Sequence, residues 1–286
     1  MTEVAWIGLG AMGSRMAARI RDEGHELVVW NRTREKAEEL GVPVAASPRE
    51  AAARAEIVFT MLADPEALRA VTEDGDGIVA GLREGAVLLE MSTVGPQAIA
   101  RLSERMPSHA SLLDVPVLGS LPEAEAGELR LFAGGEDAPL ERALPLLRVL
   151  GEPLHVGGPG SGAAAKLVAN ATLVGTIALL GETLALADGL GLPRETVFDV
   201  LSVTPLAAQA ERAARPSRPG SIRLGSRSRW RTRMRSSSRR RLLPQAATSR
   251  RSPPRGTISR PRNARASAPR ITPPCSSRSL VERAVA

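Results

Sequence analysis

The run Gly8-Leu9-Gly10-Ala11-Met12-Gly13 constrains what this chain can fold into more than any other feature. It follows the apolar stretch Val4–Ile7 and opens a segment, Ser14–Glu23, in which Met16, Ala17 and Ile20 recur at helical spacing. Gly24 ends that segment, and Leu27–Trp30 supplies a second apolar strand. Strand, glycine turn, helix and strand within roughly thirty residues make a βαβ unit. In such a unit Gly8 permits the tight turn. Gly10 has no side chain to keep a pyrophosphate away from the backbone, and Gly13 lets helix and strand pack closely. The helix start then offers free N–H groups and the positive end of its dipole to a phosphate. Gly8, Leu9, Gly10, Ala11, Met12 and Gly13 therefore read as a dinucleotide corner. A purely structural glycine turn is the alternative, and the strand-before, helix-after context favours the former.

The pattern continues beyond the first unit. Thr33–Leu40 is a charged amphipathic helix ended by Gly41, Pro48–Arg54 a short helix, and Ile57–Leu62 a third apolar strand. Val87–Glu90 and Leu112–Asp114 are further strands, each after a helical segment. Alternating apolar strands and helices predict an α/β fold with a doubly wound parallel sheet covered on both faces, over residues 1–158. A second regime begins near Pro159. Residues 162–189 read as one long helix rich in Ala and Leu, and Pro193–Leu201 as another, with Pro193 suited to its first turn. Residues 159–211 thus open an all-α second domain. Residues 171–180 are apolar, but Glu182 and Asp188 close the stretch. The expectation is a buried helix, with no apolar run near the roughly 20 residues of a membrane span.

Charge is segregated along the chain. Residues 1–211 hold 17 Lys+Arg against 30 Asp+Glu, a net of −13; residues 212–286 hold 21 Arg against one acid, Glu282, a net of +20. Arg, Ser and Pro make up 44 of those 75 residues, and no helical or strand period survives among them. Such a composition cannot bury enough apolar area to offset chain entropy, so residues 212–286 read as a disordered basic tail. The abrupt change, together with the absence of Tyr from the whole chain, suggests a reading-frame slip in a GC-rich gene near residues 211–220. A +20 tail attracts polyanions by counterion release. Its single stacking candidate is Trp230 and it carries no recognised reader motif, so nucleic-acid contact is expected to be non-specific. The lone cysteine, Cys275, excludes an internal disulfide, and the start lacks a basic leader. Both fit a cytoplasmic protein.

Two further constellations carry chemistry. Asn31-Arg32-Thr33 follows the second strand, where an NAD-preferring site usually places an acid on the ribose 2′-OH. No acid stands there. Arg32 can pair with a 2′-phosphate while Asn31 or Thr33 donates hydrogen bonds, which favours NADP over NAD; the alternative is a solvated Arg32 with Thr33 capping the next helix. Lys166 and Asn170 are four apart and share one face of the long helix. Lys166 is one of two lysines in a chain with 36 arginines. Arginine does not lose its proton near neutrality, whereas lysine can. In a dry pocket beside a cationic ring its pKa would fall below the ordinary value of about 10.4, toward general acid/base duty. Alternatively it is a surface lysine on an amphipathic helix. His25, His109 and His155 lack partners at motif spacing and read as surface or loop residues, and no Cys/His cluster suggests a metal.

Taken together these blocks resemble the β-hydroxyacid dehydrogenase family, which includes 3-hydroxyisobutyrate dehydrogenases and short-chain semialdehyde reductases. The resemblance runs along residues 3–205. It is carried by the opening Gly-Leu-Gly-Ala-Met-Gly, Phe59–Pro65, Met91–Pro96, Asp114–Ser120, Glu123–Gly127 with Ala133–Gly135, and Gly160–Asn170. It implies a Rossmann domain, NAD or NADP as cofactor, a small hydroxy acid or aldehyde as substrate, and a homo-oligomer. It also implies Lys166 as acid/base, Asn170 holding the reacting oxygen, Met61 and Leu62 packing on the cofactor, and Ser92 and Thr93 touching cofactor or substrate carboxylate. In the substrate loop the family's usual Ser is here Leu118, leaving Gly119 and Ser120 backbone N–H groups as donors. Either a smaller, less polar substrate or a tolerated variant follows. The family's helical domain supplies a second lysine, and residues 212–286 contain none.

Overall fold

In the computed structural model, which describes residues 2–214, the strand β1 (Glu3–Ile7) lies one strand in from an edge of the sheet and is buried from Val4 onward. It pairs in parallel with β2 (Glu26–Trp30) and with β3 (Ile57–Thr60). β3 pairs with β4 (Val87–Glu90), and β4 with β5 (Ser111–Asp114), again in parallel. The register aligns Ile7 with Thr60, Thr60 with Glu90, and Glu90 with Asp114. Four neighbouring strands therefore end level, and the loops leaving them gather along one rim, where open α/β sheets bind ligands.

Both faces of the sheet are covered, as the alternating apolar pattern requires. Val4 and Trp6 turn to one core with Met16 and Ile20 of α1 (Ala11–Asp22) and Leu146 and Leu147 of α7 (Asp137–Leu150). Ala5 and Ile7 turn to the other, against Ala51 and Ala52 of α3 (Pro48–Ala53), Leu68 of α4 (Pro65–Thr72) and Leu102 of α5 (Pro96–Arg105). Within the first core Trp6 stacks on Phe59 at 4.9 Å between ring centroids. Successive side chains of a strand point to opposite faces, so one apolar strand supplies two cores. Ser47 accepts from Glu50 N ahead of α3, and Asp64 from Ala67 N ahead of α4, with Pro in the first turn of each. α2 (Arg34–Glu38) is shorter than the expected Thr33–Leu40.

The sheet departs from the expected all-parallel form on its far side. β6 (Val117–Leu118) and β7 (Leu129–Gly134) form an antiparallel pair joined through α6 (Leu121–Ala126), and β7 also meets β5 antiparallel at Asp114–Gly134. β8 (Gly151–Gly157) then pairs parallel to β7. The order is β2-β1-β3-β4-β5-β7-β6, with β8 on β7. The six residues of α6 are too few for the crossover that parallel neighbours need, so the chain reverses instead. His155 lies on β8 and is exposed, in keeping with a surface residue.

The long helix forms as expected, as α8 (Ser161–Gly189), followed by α9 (Arg194–Ser202) and α10 (Ala207–Ala214). The expectation that it is buried fails. Val168, Val174, Leu186 and Leu190 are each more than 60% exposed. Among the described residues its first turns pack on β7 and β8, while Leu180 and Ala187 join Val197, Leu201, Leu206 and Ala210 in a small separate core. Nothing described covers the remaining faces. Contrary to the sequence expectation, α8 is also long and apolar enough to cross a membrane by length and composition, with a mean hydropathy of 1.6 over its most apolar stretch. The polar residues Thr172 and Thr176 hide this in a strict apolar count, because each bonds its hydroxyl back to a helix carbonyl. The basic tail, with Trp230, Cys275 and Glu282, lies outside the described residues except for 212–214, which complete α10.

Candidate active site

The glycine corner is built as the sequence demands, with one reason added. Gly8 has φ +99°, and a side chain there would strike the Met61 carbonyl and, at 2.8 Å, Leu62 Cδ2. Its backbone freedom thus serves the packing of β1 against the end of β3 as well as the turn. Gly13 lies so close to β1 that a Cβ would overlap the Gly8 carbonyl oxygen, which also accepts from Trp6 Nε1 at 3.1 Å. Around Gly10 there is open space, with no atom within 4 Å of where a Cβ would stand. The first in-helix bond of α1 is Ser14 N to Gly10 O at 3.0 Å, so the amides of Ala11, Met12 and Gly13 precede it. Open space beside unclaimed amides at a helix N-terminus fits a dinucleotide pyrophosphate.

Asn31 is committed to that corner. Its Oδ1 accepts from Leu9 N at 2.9 Å and its Nδ2 donates to Thr33 O at 2.7 Å, tying the end of β2 to the glycine loop. Arg32 and Thr33 are exposed beside it, and Arg32 makes no hydrogen bond or ion pair among the described residues.

Below the rim lie two buried acids. Glu90, at 0% exposure, accepts from Ser92 N at 2.7 Å and meets Thr60 Oγ1 and the Ser92 hydroxyl; Ser92 Oγ in turn accepts from Leu62 N at 2.7 Å. Burial lifts the Glu90 pKa to about 7, against the pull of the Ser92 and Thr60 hydrogen bonds and with help from the neighbouring Asp114 charge. Ser92 is therefore buried in structure, whereas Thr93 is exposed at the cleft and Met61 and Leu62 are half-buried at its edge. Asp114, 1% exposed, receives Gly160 N at 2.9 Å and Ala163 N at 2.6 Å. It thereby caps the start of α8 from the end of β5. Burial raises its pKa too, opposed by those backbone N–H bonds. Gly134 and Gly162 leave room for its carboxylate, since a Cβ on either would run into Asp114.

One turn beyond that anchor stands Lys166, only 9% exposed. Its amine has no hydrogen bond or ion pair among the described residues. It is not sealed in, because the only wholly buried side-chain polar atom lacking a partner among those residues is His25 Nδ1. Desolvation holds the lysine below its ordinary pKa. Asn170 is half-buried one turn further along, and α8 runs against β5, β6 and α5, the elements flanking the Ser92 and Gly119 loops. Ser120 differs from expectation. Its N–H donates to Glu123 Oε2 at 2.8 Å and its hydroxyl does so at 2.5 Å, closing the start of α6. That leaves Gly119 as the substrate-loop amide. Two surface hollows, of about 630 Å³ between α7 and β8 and about 350 Å³ between α4 and α5, include neither the glycine corner nor Lys166.

A nucleotide corner, two buried acids and an unpartnered lysine define a nicotinamide-dependent oxidoreductase of the doubly wound class. Residues 3–158 match the family described as the NAD binding domain of 6-phosphogluconate dehydrogenase. The chain is 37% identical over 209 residues to 3-sulfolactaldehyde reductase of Escherichia coli K12, covering 71% of this chain and 70% of that one. It is 34% identical over 206 residues to glyoxylate/succinic semialdehyde reductase 1 of Arabidopsis thaliana, covering 70% and 71%. In structure it is similar to Mycobacterium tuberculosis 3-hydroxyisobutyrate dehydrogenase solved with L-serine, at a TM-score of 0.66 and 30% identity over 73% of each chain. The chain belongs to the β-hydroxyacid dehydrogenase family, among the 3-hydroxyisobutyrate dehydrogenase-like members.

Proposed function

We propose that this chain interconverts a short 3-hydroxy acid or its kin with the matching semialdehyde, using NADP in preference to NAD. The observation that carries this reading is the desolvated, unpartnered Lys166 amine on a helix anchored by Asp114 to the sheet rim that holds the glycine corner. When bound, the nicotinamide supplies a two-electron hydride acceptor or donor. The protein supplies the proton and the geometry. Neutral Lys166 Nζ takes the hydroxyl proton in oxidation, and the ammonium returns it to the carbonyl oxygen in reduction. Asn170 steadies that oxygen through its amide N–H. Ala11 to Gly13 hold the pyrophosphate, Met61, Leu62 and Thr93 line the nicotinamide side, and Gly119 donates to the substrate's polar end. With Leu118 apolar and Ser120 turned to Glu123, that end meets fewer donors than a serine loop would offer. A small substrate suits such a site. The test is NADPH and NADH titration of the full chain by quenching of tryptophan fluorescence, with turnover on three- and four-carbon hydroxy acids and semialdehydes.

The NADP preference rests on Arg32, exposed and free of partners among the described residues, where a 2′-phosphate would lie. Loss of one charge-assisted contact is worth about 1.4 kcal/mol, so Arg32→Ala is expected to weaken NADPH binding about tenfold. NADH binding should move less than twofold. Equal weakening of both nucleotides removes the basis for the preference.

A second reading concerns residues 212–286. The sudden Arg/Ser/Pro composition supports a reading-frame slip, in which the chain folds its nucleotide half and carries a foreign sequence where the family's helical domain continues. Such a chain would be inactive or weakly active. Peptide mapping of the protein from its natural source is expected to miss the Arg-rich peptides beyond residue 220; their recovery contradicts the slip.

A further inference from the structure

Thr60 and Glu90 end neighbouring strands at the same level, and both are 0% exposed. A strand reading Val-Leu-Leu-Glu gives three residues to the apolar core and then drives a carboxyl into it. Such burial is costly unless every oxygen is bonded. Here it is. Glu90 Oε1 accepts Ser92 N–H at 2.7 Å, Oε2 meets Thr60 Oγ1, and Ser92 Oγ carries the chain of contacts to Leu62 N at 2.7 Å. Among the described residues no other side-chain hydrogen bond links the segment leaving β3 to the loop leaving β4, and Met61, Leu62 and Thr93, which the functional reading places against the cofactor, ride on them.

We propose that Glu90 is a positioning residue: through Thr60 and Ser92 its carboxyl bolts the Met61–Leu62 segment to the Ser92–Thr93 loop, fixing the nicotinamide side of the cleft. The proposal rests on the nicotinamide reading above. Both protonation forms of the acid complete the bolt. When neutral, its O–H donates to Thr60 Oγ1, whose own hydroxyl donates to Leu89 O at 3.3 Å; when ionised, the Thr60 hydroxyl turns to Oε2. With a pKa lifted to about 7 the group is present in both forms near neutrality, and in each the Ser92 amide stays bound to Oε1.

Three variants of the full chain separate positioning from mere support of the fold. Glu90→Met follows the same unbranched path without polar atoms, which removes a buried acid but also leaves the Ser92 N–H without its acceptor. Glu90→Gln keeps a carbonyl for Ser92 N–H and an NH₂ for Thr60, reproducing the neutral acid. Thr60→Val cuts the bolt from the other strand and serves if Glu90→Met does not fold. Hydrogen exchange of the Leu62 and Ser92 amides, measured without nucleotide, and the NADPH dissociation constant are the readouts. Severing the bolt is expected to speed exchange at both amides at least about tenfold and to weaken NADPH about tenfold, while Glu90→Gln stays within about threefold of the parent. The proposal is overturned if Glu90→Met and Thr60→Val match the parent in both readouts, or if Glu90→Gln loses as much as Glu90→Met. A parent chain that binds neither NADPH nor NADH sinks the functional reading and this proposal with it, which a normal parent with normal variants does not.

Discussion

Lys166→Ala is expected to lower kcat by about 10²–10⁴-fold, the range that a positioned general acid or base contributes, while the NADPH dissociation constant changes less than about threefold. The side chain is nearly buried and its amine engages no described partner, so truncation breaks no bond that holds α8 in place. Thermal stability should hold or rise, because a desolvated cation is removed. Lys166→Arg should not restore turnover, since a guanidinium keeps its proton throughout the working range. The pH profile carries a signature of its own. Desolvation holds the Lys166 pKa below its ordinary value, so the limb it governs is displaced downward. Oxidation needs the neutral amine and should decline as pH falls through that pKa. Reduction needs the ammonium and should decline as pH rises through it. Both limbs should vanish in Lys166→Ala; steady-state rates in both directions from pH 6 to 10 check this.

Gly10→Ala and Gly13→Ala are expected to fail in opposite ways, although the two residues belong to one turn. Gly10 has φ −70° and ψ −172°, which an alanine adopts without strain, and the space around it is open. The substitution should leave stability unchanged or raise it by about 0.4–1 kcal/mol through the unfolded chain. Nucleotide binding should weaken by at least about thirtyfold, roughly 2 kcal/mol, because the added methyl stands where the pyrophosphate must approach the backbone. At Gly13 a methyl would overlap the Gly8 carbonyl and lie 3.2 Å from Trp6 Nε1. Helix α1 must then lift from β1, at a cost of about 1–3 kcal/mol or more. Thermal unfolding and NADPH titration of both variants test the pair. A Gly10→Ala chain that binds normally would show that the corner does not receive a pyrophosphate.

Local chemistry made the corner, the first five strands and the long helix legible in the sequence, because glycine turns, apolar runs and helical spacing are short-range signals. Trp6 and Met16 declare their faces by period alone. What escaped depends on pairs far apart in sequence. Glu90 meets Thr60 thirty residues away, and Asp114 meets Gly160 46 residues away. No spacing rule reports strand register, so neither acid could be assigned a partner. One hint was available, since an acid ending an otherwise wholly apolar buried strand must be either bonded or functional. Asn31 and Ser120 show the same limit, since the sequence did not report the bonds each makes within the chain. Each has the right donors for a ligand, yet bonds to the nearby Thr33 and Glu123, and for Asn31 to the distant Leu9, claim much of that capacity. The mixed edge of β6 to β8 was missed because β6 has only two residues, and Arg130 in β7 and Glu152 and His155 in β8 interrupt the apolar runs. The apolar count along α8 correctly described a helix that needs cover, but whether cover is present is a tertiary fact.

The most direct measurement is transfer of a deuterium label from NADPH carrying it at C4, offered to the full chain with a three- or four-carbon semialdehyde and followed by mass spectrometry of the alcohol formed. Deuterium on the new carbinol carbon, strongly reduced in Lys166→Ala, is the outcome that follows from a proton-carrying amine beside a nicotinamide. Label transfer as fast without the amine as with it would contradict that arrangement.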